Sequence, residues 1–254
     1  MSIRMVVTDL DGTLLKDDKT VSRRTADTIA AMRGRGVLFV IATARPIRAV
    51  RRFLPFLEYD AAIFHNGAVV VNGGERMSGF GIDGPFALVS NIIGKRPGSR
   101  ISVESNDVMF SNYPAEETWP GVEYSRTADF HEIRDFVADK IIIELSSPRE
   151  MDELAPLIPE GMYVQLSENR VAMIMNRAAT KTNGVRMIAA HYGISMEETA
   201  AFGDDRNDVD MLKNCGTGIA MANALDEVKS AADAVCAGND YAGVAEWIEQ
   251  NILA

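Results

Sequence analysis

Two aspartates at the end of an apolar segment are the residues of this sequence best suited to chemistry. Asp9 and Asp11 follow the largely apolar residues 3–7, and Gly12 comes next. Side chains alternate along an extended chain, so both carboxylates are expected on one side, with Leu10 pointing back into the protein. Like charges this close need a cation, a shared proton or both. The pattern predicts a metal-assisted aspartyl nucleophile, although a turn that only ends a strand can use the same residues.

A second acidic segment follows another apolar stretch near the far end of the chain. Residues 200–203 lead into Asp204, and Asp208 comes four residues later. If a helix begins near residue 206, both carboxylates lie close to its positive end. Carboxylate oxygens are the ligands that Mg²⁺ prefers. A capped helix start is the alternative, but two strand-to-acid junctions in one sheet favour a metal site.

Two other positions suit a phosphate group. Thr43 follows the apolar residues 37–42, and a hydroxyl beside the backbone N–H groups of a helix N-terminus can bind phosphate oxygens. Lys181 opens a predicted helix, where a cation is electrostatically unfavourable unless an anion lies nearby. A simple N-cap threonine and a solvated surface lysine are the alternatives.

The elements that must position these residues alternate between strand and helix in the first and last thirds of the chain, which predicts a parallel, doubly wound sheet. The predicted strands are residues 3–9, 37–42, 61–64, 68–71, 199–202 and 218–221. The predicted helices are residues 21–34, 46–54, 181–192, 208–213 and 241–252. Such sheets bind ligands at the carboxyl ends of their strands, where the aspartates lie.

The middle of the chain has a different pattern. Its predicted elements are helices over residues 84–95 and 149–158 and short strands over 101–104, 108–111, 140–145, 162–167 and 171–175. We interpret this part as a separate α/β unit inserted into the parallel sheet. The predicted domains are a core of residues 1–82 and 178–254 and an insertion of residues 83–177.

Composition limits the classes of function. The 254 residues carry a formal net charge of −10, which argues against nucleic-acid binding because that needs a basic face. A phosphorylated small molecule remains compatible, since a bound cation reverses the local field. Cys215 and Cys236 lack metal-ligand spacing, and no apolar run approaches the roughly 20 residues of a membrane span. We expect a cytoplasmic protein without a membrane partner.

Four segments together closely resemble the motifs of the haloacid dehalogenase superfamily. In chain order they are residues 9–15 (DLDGTLL), residues 42–45 (ATAR), Lys181 and residues 203–208 (GDDRND). The insertion looks like the C2B-type cap of the Cof-like phosphatases, subclass IIB. The resemblance implies a Rossmann-like core, an α/β cap that closes over the active site, and Mg²⁺-dependent hydrolysis of small phosphomonoesters such as sugar phosphates or phosphoglycolate.

The resemblance also implies residue roles. Asp9 would attack phosphorus and form an aspartyl phosphate, while Asp11 would protonate the leaving group and then activate water. Mg²⁺ would be held by Asp9, the Asp11 backbone carbonyl and Asp204, with Asp208 supporting its water ligands. The expected substrate-binding residues are Thr43, Ala44, Arg45, Asn66, Lys181 and Asn207. Lys181 is also expected in the catalytic set, and Asn207 is expected to orient Lys181 or a phosphate oxygen.

Two other functions fit the same segments. A phosphomutase would return the phosphoryl group to a sugar instead of passing it to water. A non-catalytic protein that binds a phosphorylated metabolite would keep the fold without turnover, but it would place no chemical demand on Asp9, Asp11, Lys181 and Asp204. A haloalkanoate dehalogenase is disfavoured because Asp11 and the metal-binding acids would have no purpose there.

Overall fold

The structure is a computed structural model that describes residues 2–51, 57–167 and 169–254. The chain divides into two compact units, which we call the core unit (residues up to Gly79, with Thr180–Ala254) and the inserted unit (Phe80–Ala179). The chain leaves the core unit after Gly79, where the predicted boundary was after residue 82. It re-enters the core unit at Thr180, where the predicted position was residue 178.

The core unit takes its helices and strands from both ends of the chain. Before the insertion they are β1 (Met5–Thr8), α1 (Arg23–Gly34), β2 (Leu38–Ala42), α2 (Ile47–Arg51), β3 (Ala61–Phe64), β4 (Val69–Asn72) and β5 (Glu75–Ser78). In the inserted unit they are β6 (Ile82–Asp83), α3 (Pro85–Lys95), β7 (Ile101–Ser105), β8 (Val108–Ser111), β9 (Ser125–Arg126), β10 (Val137–Ala138), β11 (Lys140–Glu144), α4 (Glu150–Leu154), β12 (Met162–Ser167) and β13 (Val171–Asn176). After it they are α5 (Lys181–Tyr192), β14 (Thr199–Gly203), α6 (Val209–Asn214), β15 (Thr217–Met221), α7 (Asp226–Ala231), β16 (Ala234–Cys236) and α8 (Gly243–Asn251).

The core unit is built on an eight-stranded sheet in the order β16-β15-β14-β1-β2-β3-β4-β5. The strands from β16 to β3 run parallel, and β4 and β5 extend one edge in antiparallel fashion. The predicted doubly wound parallel sheet is therefore observed with an antiparallel extension. Its central strands read as continuous apolar runs because both of their faces are buried.

The strand order determines where the polar residues meet. β1 lies between β14 and β2, and Met5 of β1 pairs with Thr199 on one side and Leu38 on the other. All three strands run in the same direction, so the residues that follow them lie at one edge of the sheet. Asp9, Thr43 and Asp204 are those residues.

Helix α5 shows why local sequence predicts some boundaries well. The hydroxyl of Thr180 accepts the backbone N–H of Asn183 and caps its first turn, and Gly193 ends it in a left-handed conformation with φ of 61°. The observed helix matches the predicted residues 181–192. Helix α1 starts two residues later than predicted because Ser22 caps it by accepting the N–H of Thr25.

The inserted unit is built on a six-stranded sheet in the order β12-β13-β11-β7-β8-β9, accompanied by the two-stranded pair β10-β6. Its strands pair in antiparallel fashion except for β8 and β9. Apolar residues of α3, including Leu88, Val89 and Ile92, pack with those of β7 and β11 in a core of this unit's own.

The structure differs from the predicted elements in a few places. The predicted helix 149–158 is α4 followed by a separate 3₁₀ turn over Ala155–Leu157, because Pro156 lacks the N–H that a continuing helix needs. Of the predicted helix 46–54, residues 52–54 lie outside the described residues. Strand β16 was not predicted, because it has only three residues and is only partly buried. Within the described ranges, no helix combines the length and the apolar character needed to cross a bilayer.

Candidate active site

A buried lysine joins two of the predicted acids. Lys181 is the first residue of α5, and its Nζ donates to Oδ1 of Asp9 at 2.6 Å and to Oδ1 of Asp208 at 2.7 Å. The ammonium group and both carboxylates are almost fully buried. A cation at the positive end of a helix needs an anion close by, and in the structure two carboxylates fill that need.

The loop after β1 packs directly on the loop after β14. The hydroxyl of Thr13 donates to Oδ1 of Asp204 at 2.6 Å. Gly12 has φ of +78°, and a Cβ there would lie 2.4 Å from Oδ2 of Asp204. A side chain at position 12 would therefore be strained and would also push Asp204 away from the site.

Asp208 organises the second acidic loop. Its Oδ2 accepts the backbone N–H groups of Asp204 at 3.0 Å and Asp205 at 3.2 Å, while its Oδ1 holds Lys181. A Cβ on Gly203 would lie 2.4 Å from the Cβ of Asp208, so the strand can end this close to the acid only with glycine there. Both carboxylate oxygens of Asp208 are thus engaged within the protein.

Three carboxylates converge on one point. One oxygen from each of Asp9, Asp204 and Asp208 lies within 4.8 Å of the other two. These are hard oxygen donors, of the kind that Mg²⁺ selects. The donor set and its burial therefore fit the predicted cation. The carboxylate of Asp11 is not among the three.

Burial shifts the pKa values of this cluster. Burial is the largest cause that raises the pKa of Asp9 to about 7, with Lys181 opposing the shift and Asp208 adding to it. Burial also raises the pKa of Asp204 to about 6. Burial opposes the charged form of Lys181, but the charges of Asp208 and Asp9 outweigh it and raise the lysine pKa above its ordinary value. A bound cation would lower both aspartate pKa values.

Without metal, the contribution of Asp9 to stability is expected to decline between about pH 4 and pH 7. In that window the native state keeps a proton, with a pKa of about 7, that the unfolded carboxyl has released at 3.8. The native state binds more protons, so rising pH favours unfolding. Urea denaturation in EDTA at about pH 5 and about pH 7.5 tests this. The free energy of unfolding should fall more in the wild type than in Asp9→Asn, and equal changes would contradict the assignment.

Asp11 has partners of its own. Its Oδ2 accepts Nε of Arg45 at 2.5 Å, and its Oδ1 accepts Nη2 of Arg45 at 2.7 Å and Nζ of Lys19 at 2.9 Å. Partial burial opposes ionisation, but the bonds from Arg45 and Lys19 hold the pKa of Asp11 below its ordinary value. The two aspartates predicted to share one cation or proton are therefore each paired with side-chain cations, and Arg45, predicted to bind substrate, binds Asp11 in the structure.

Thr43 lies in a loop that bonds to the turn over His65–Gly67, and that turn packs against the start of α5. Thr43 is buried, its hydroxyl accepts the backbone N–H of Arg45 at 3.2 Å, and its carbonyl accepts that of Asn66. The side chain of Asn66 accepts from Asn207 at 3.2 Å. Gly67 packs against the carbonyl of Thr180, since a Cβ there would lie 2.4 Å from that oxygen.

The structure brings the other predicted substrate-binding residues into this region with different exposure. Ala44 is exposed beside Thr43. The described contact of the Asn207 side chain is with Asn66, whereas Asp9 and Asp208 hold Lys181. Among the described residues, no hydrogen bond joins Asn207 to Lys181, so the predicted role of Asn207 in orienting Lys181 stays a prediction.

Sequence reasoning missed three residues of the site. Thr13 holds Asp204, Lys19 holds Asp11, and Asn223 donates to the backbone carbonyl of Gly12 at 2.7 Å. Thr13 lies inside the first acidic segment, so its position was a usable signal. Lys19 and Asn223 lie in loops without a distinctive pattern, and only the fold shows what they contact.

The fold and the site together define a hydrolase of the haloacid dehalogenase type. The chain belongs to the haloacid dehalogenase-like hydrolases, since that family matches residues 6–248. This confirms the resemblance drawn from the four segments.

Several of its relatives are phosphatases by name. YxeH of Bacillus subtilis, which carries a provisional phosphatase name, is 30% identical over 99% of both chains. The 5-amino-6-(5-phospho-D-ribitylamino)uracil phosphatase YitU of Bacillus subtilis is 28% identical and covers 97% of this chain and 96% of its own. The family and these relatives identify the chain as an enzyme of the phosphatase class.

Solved structures show the same architecture. A haloacid dehalogenase-like hydrolase from Bacteroides thetaiotaomicron superposes with a TM-score of 0.84 at 25% identity, covering 98% of this chain and 99% of its own. The subclass IIB sugar phosphatase BT4131 superposes with a TM-score of 0.80 at 23% identity, covering 97% and 98%. The predicted Rossmann-like core with an inserted α/β unit is confirmed.

Proposed function

We propose that this phosphatase hydrolyses small phosphomonoesters with Mg²⁺ through an aspartyl-phosphate intermediate. The observation that carries the proposal is the Asp9 carboxylate at the end of β1, with one oxygen held at 2.6 Å by Lys181. A carboxylate fixed by one oxygen can attack with the other, and the buried ammonium group can neutralise charge on a phosphoryl group beside it.

The reaction has two balanced steps. In the first, a carboxylate oxygen of Asp9 bonds to phosphorus, the ester oxygen leaves, and Asp11 in its protonated form gives that oxygen a proton. In the second, Asp11 takes a proton from a water molecule whose oxygen bonds to phosphorus, and the bond between phosphorus and Asp9 breaks. Phosphate leaves, and Asp9 returns to its carboxylate form.

The carboxylate cluster supports the proposed Mg²⁺ site. Asp9, Asp204 and the backbone carbonyl of Asp11 would hold the ion, and Asp208 would support its water ligands while it positions Lys181. When bound, Mg²⁺ supplies positive charge that offsets the carboxylates and the phosphoryl oxygens.

Phosphoryl binding is proposed for the loops around Lys181. The buried Thr43 hydroxyl, the backbone N–H groups near Ala44 and Arg45, and the Asn66–Asn207 pair are polar groups that suit phosphate oxygens. These groups account for the phosphoryl part of a substrate only. We therefore propose that the inserted unit selects the rest of the substrate molecule. We also propose that the enzyme acts in the cytoplasm.

Phosphate release from a panel of small phosphomonoesters, with Mg²⁺ and with EDTA, tests the function. The panel includes sugar phosphates, phosphoglycolate and 5-amino-6-(5-phospho-D-ribitylamino)uracil, the last because YitU carries that name. Turnover that requires Mg²⁺ supports the proposal. Interconversion of sugar-phosphate isomers without phosphate release would indicate the mutase, and saturable binding without any reaction would indicate a binding protein.

The Asp204→Asn variant is expected to need about 10- to 100-fold more Mg²⁺ for half-maximal activity. The amide keeps the shape and can still accept from Thr13, but it removes one negative charge from the cluster. Activity measured across a Mg²⁺ titration gives the result. Asp205→Asn is the matched control, because Asp205 is exposed and is not one of the three converging carboxylates. An unchanged titration in Asp204→Asn would mean that this loop only caps a helix.

A further inference from the structure

Lys19 contacts Asp11 from outside the four recognised segments. Its Nζ lies 2.9 Å from Oδ1 of Asp11, and the side chains are about half and one-third exposed. An ion pair this accessible to water adds little to stability. Because the ammonium group of Lys19 contacts Asp11, the proposed acid–base group, Lys19 can influence the reaction instead.

The turn that carries Lys19 is built to hold it. Lys19 adopts a left-handed backbone with φ of 63°, a conformation that costs a residue with a Cβ about 1 kcal/mol. Asp18 fixes the turn by accepting both the N–H and the hydroxyl of Thr20. Asp240 accepts the backbone N–H of Asp17, and Asn239 donates to the side chain of Asp17. The turn is therefore anchored from within and from the end of the chain.

The contacts of Asp11 differ between its two oxygens. Oδ1 accepts from both Arg45 and Lys19, whereas Oδ2 accepts from Arg45 alone among the described residues. A carboxylate oxygen offers two lone-pair sites. Lys19 fills the second site on Oδ1 and leaves Oδ2 as the oxygen that can take a further proton donor.

We propose that Lys19 is a positioning residue that orients the Asp11 carboxylate for the hydrolysis of the aspartyl phosphate, an inference that rests on the proposed function. In that step Oδ2 of Asp11 receives a proton from water, the water oxygen bonds to phosphorus, and the bond to Asp9 breaks. With Lys19 in place the carboxylate is held by three donors at two oxygens. Without it, only the two bonds from Arg45 hold the carboxylate.

The test uses p-nitrophenyl phosphate, whose leaving group departs without a proton. Formation of the aspartyl phosphate then does not depend on Asp11, and its hydrolysis does. In Lys19→Met we expect kcat to fall about 10-fold while kcat/KM stays within about 2-fold. A pre-steady-state burst of p-nitrophenolate close to the enzyme concentration should accompany the change. Lys19→Arg should restore kcat to within about 2-fold.

Matched variants separate the possible results. Lys16→Met is the control, because Lys16 lies in the same turn and its ammonium group pairs with Asp18 at 3.1 Å; it should show no burst. Asp11→Asn should give a larger loss of kcat with the same burst. If Asp11→Asn shows no burst, the proposed role of Asp11 fails and this inference falls with it. If Asp11→Asn behaves as expected but Lys19→Met loses kcat and kcat/KM together, or loses neither, only the role of Lys19 is overturned.

Discussion

Replacement of Asp9 by asparagine is expected to abolish turnover while the protein stays folded. The amide can still accept a hydrogen bond from Lys181, which lies 2.6 Å from Oδ1 of Asp9, so the packing around position 9 is kept. The amide cannot form an acyl phosphate, and loss of a nucleophile lowers kcat by about 10⁴-fold or more. Phosphate release with the preferred substrate of the panel, together with circular dichroism, measures both effects.

Two further measurements sharpen the Asp9 result. Brief incubation of Asp11→Asn with p-nitrophenyl phosphate, followed by acid quench and intact-mass analysis, should show a phosphorylated protein that Asp9→Asn does not form. Asp27→Asn is a matched control, because Asp27 pairs with Arg23 on the exposed face of α1, and it should keep full activity. Wild-type turnover by Asp9→Asn would rule out the covalent route.

Replacement of Lys181 by methionine is expected to damage both activity and stability. Methionine fills a similar space but leaves Asp9 and Asp208 buried without their shared cation. Removing one partner of a buried ion pair costs about 3–5 kcal/mol. The loss of a positive group beside the phosphoryl oxygens should lower kcat/KM by about 10³-fold. Urea denaturation in EDTA at about pH 8, combined with steady-state kinetics, measures the two changes.

The stability loss in Lys181→Met should depend on pH. The pKa of Asp9 is about 7 with the lysine present, and removing the cation raises it further. Below that pKa the carboxyl is neutral, so at about pH 5 the variant should lose less stability than at about pH 8. Lys213→Met removes the same charge from an exposed position and should change neither quantity. Equal unfolding free energies for Lys181→Met and the wild type at about pH 8 would mean that the bonds from Lys181 to Asp9 and Asp208 do not stabilise the protein.

Much of the fold could be predicted because its signals are local. The strands of the core sheet are short apolar runs that end in turn residues, and α5 has its own cap at each end in Thr180 and Gly193. The elements that sequence reasoning missed lack such signals. Strand β16 has only three residues and is partly exposed. Helix α6 was predicted, but it begins one residue later than expected because the 3₁₀ turn over Arg206–Asp208 precedes it.

The sequence by itself determined which residues could take part in the chemistry. Asp9 and Asp204 could be placed because each follows a buried strand, and parallel strands present their carboxyl ends at one edge. A side chain that ends a strand has little freedom in where it lies, so its location follows from the strand alone.

Only the tertiary structure decided the partners of these residues. Lys181 bonds to an aspartate 172 positions away, and Thr13 bonds to one 191 positions away. Arg45 matched a phosphate-binding segment in the sequence but binds Asp11 in the fold. Such contacts depend on how loops from distant parts of the chain pack together, and local sequence does not specify that packing.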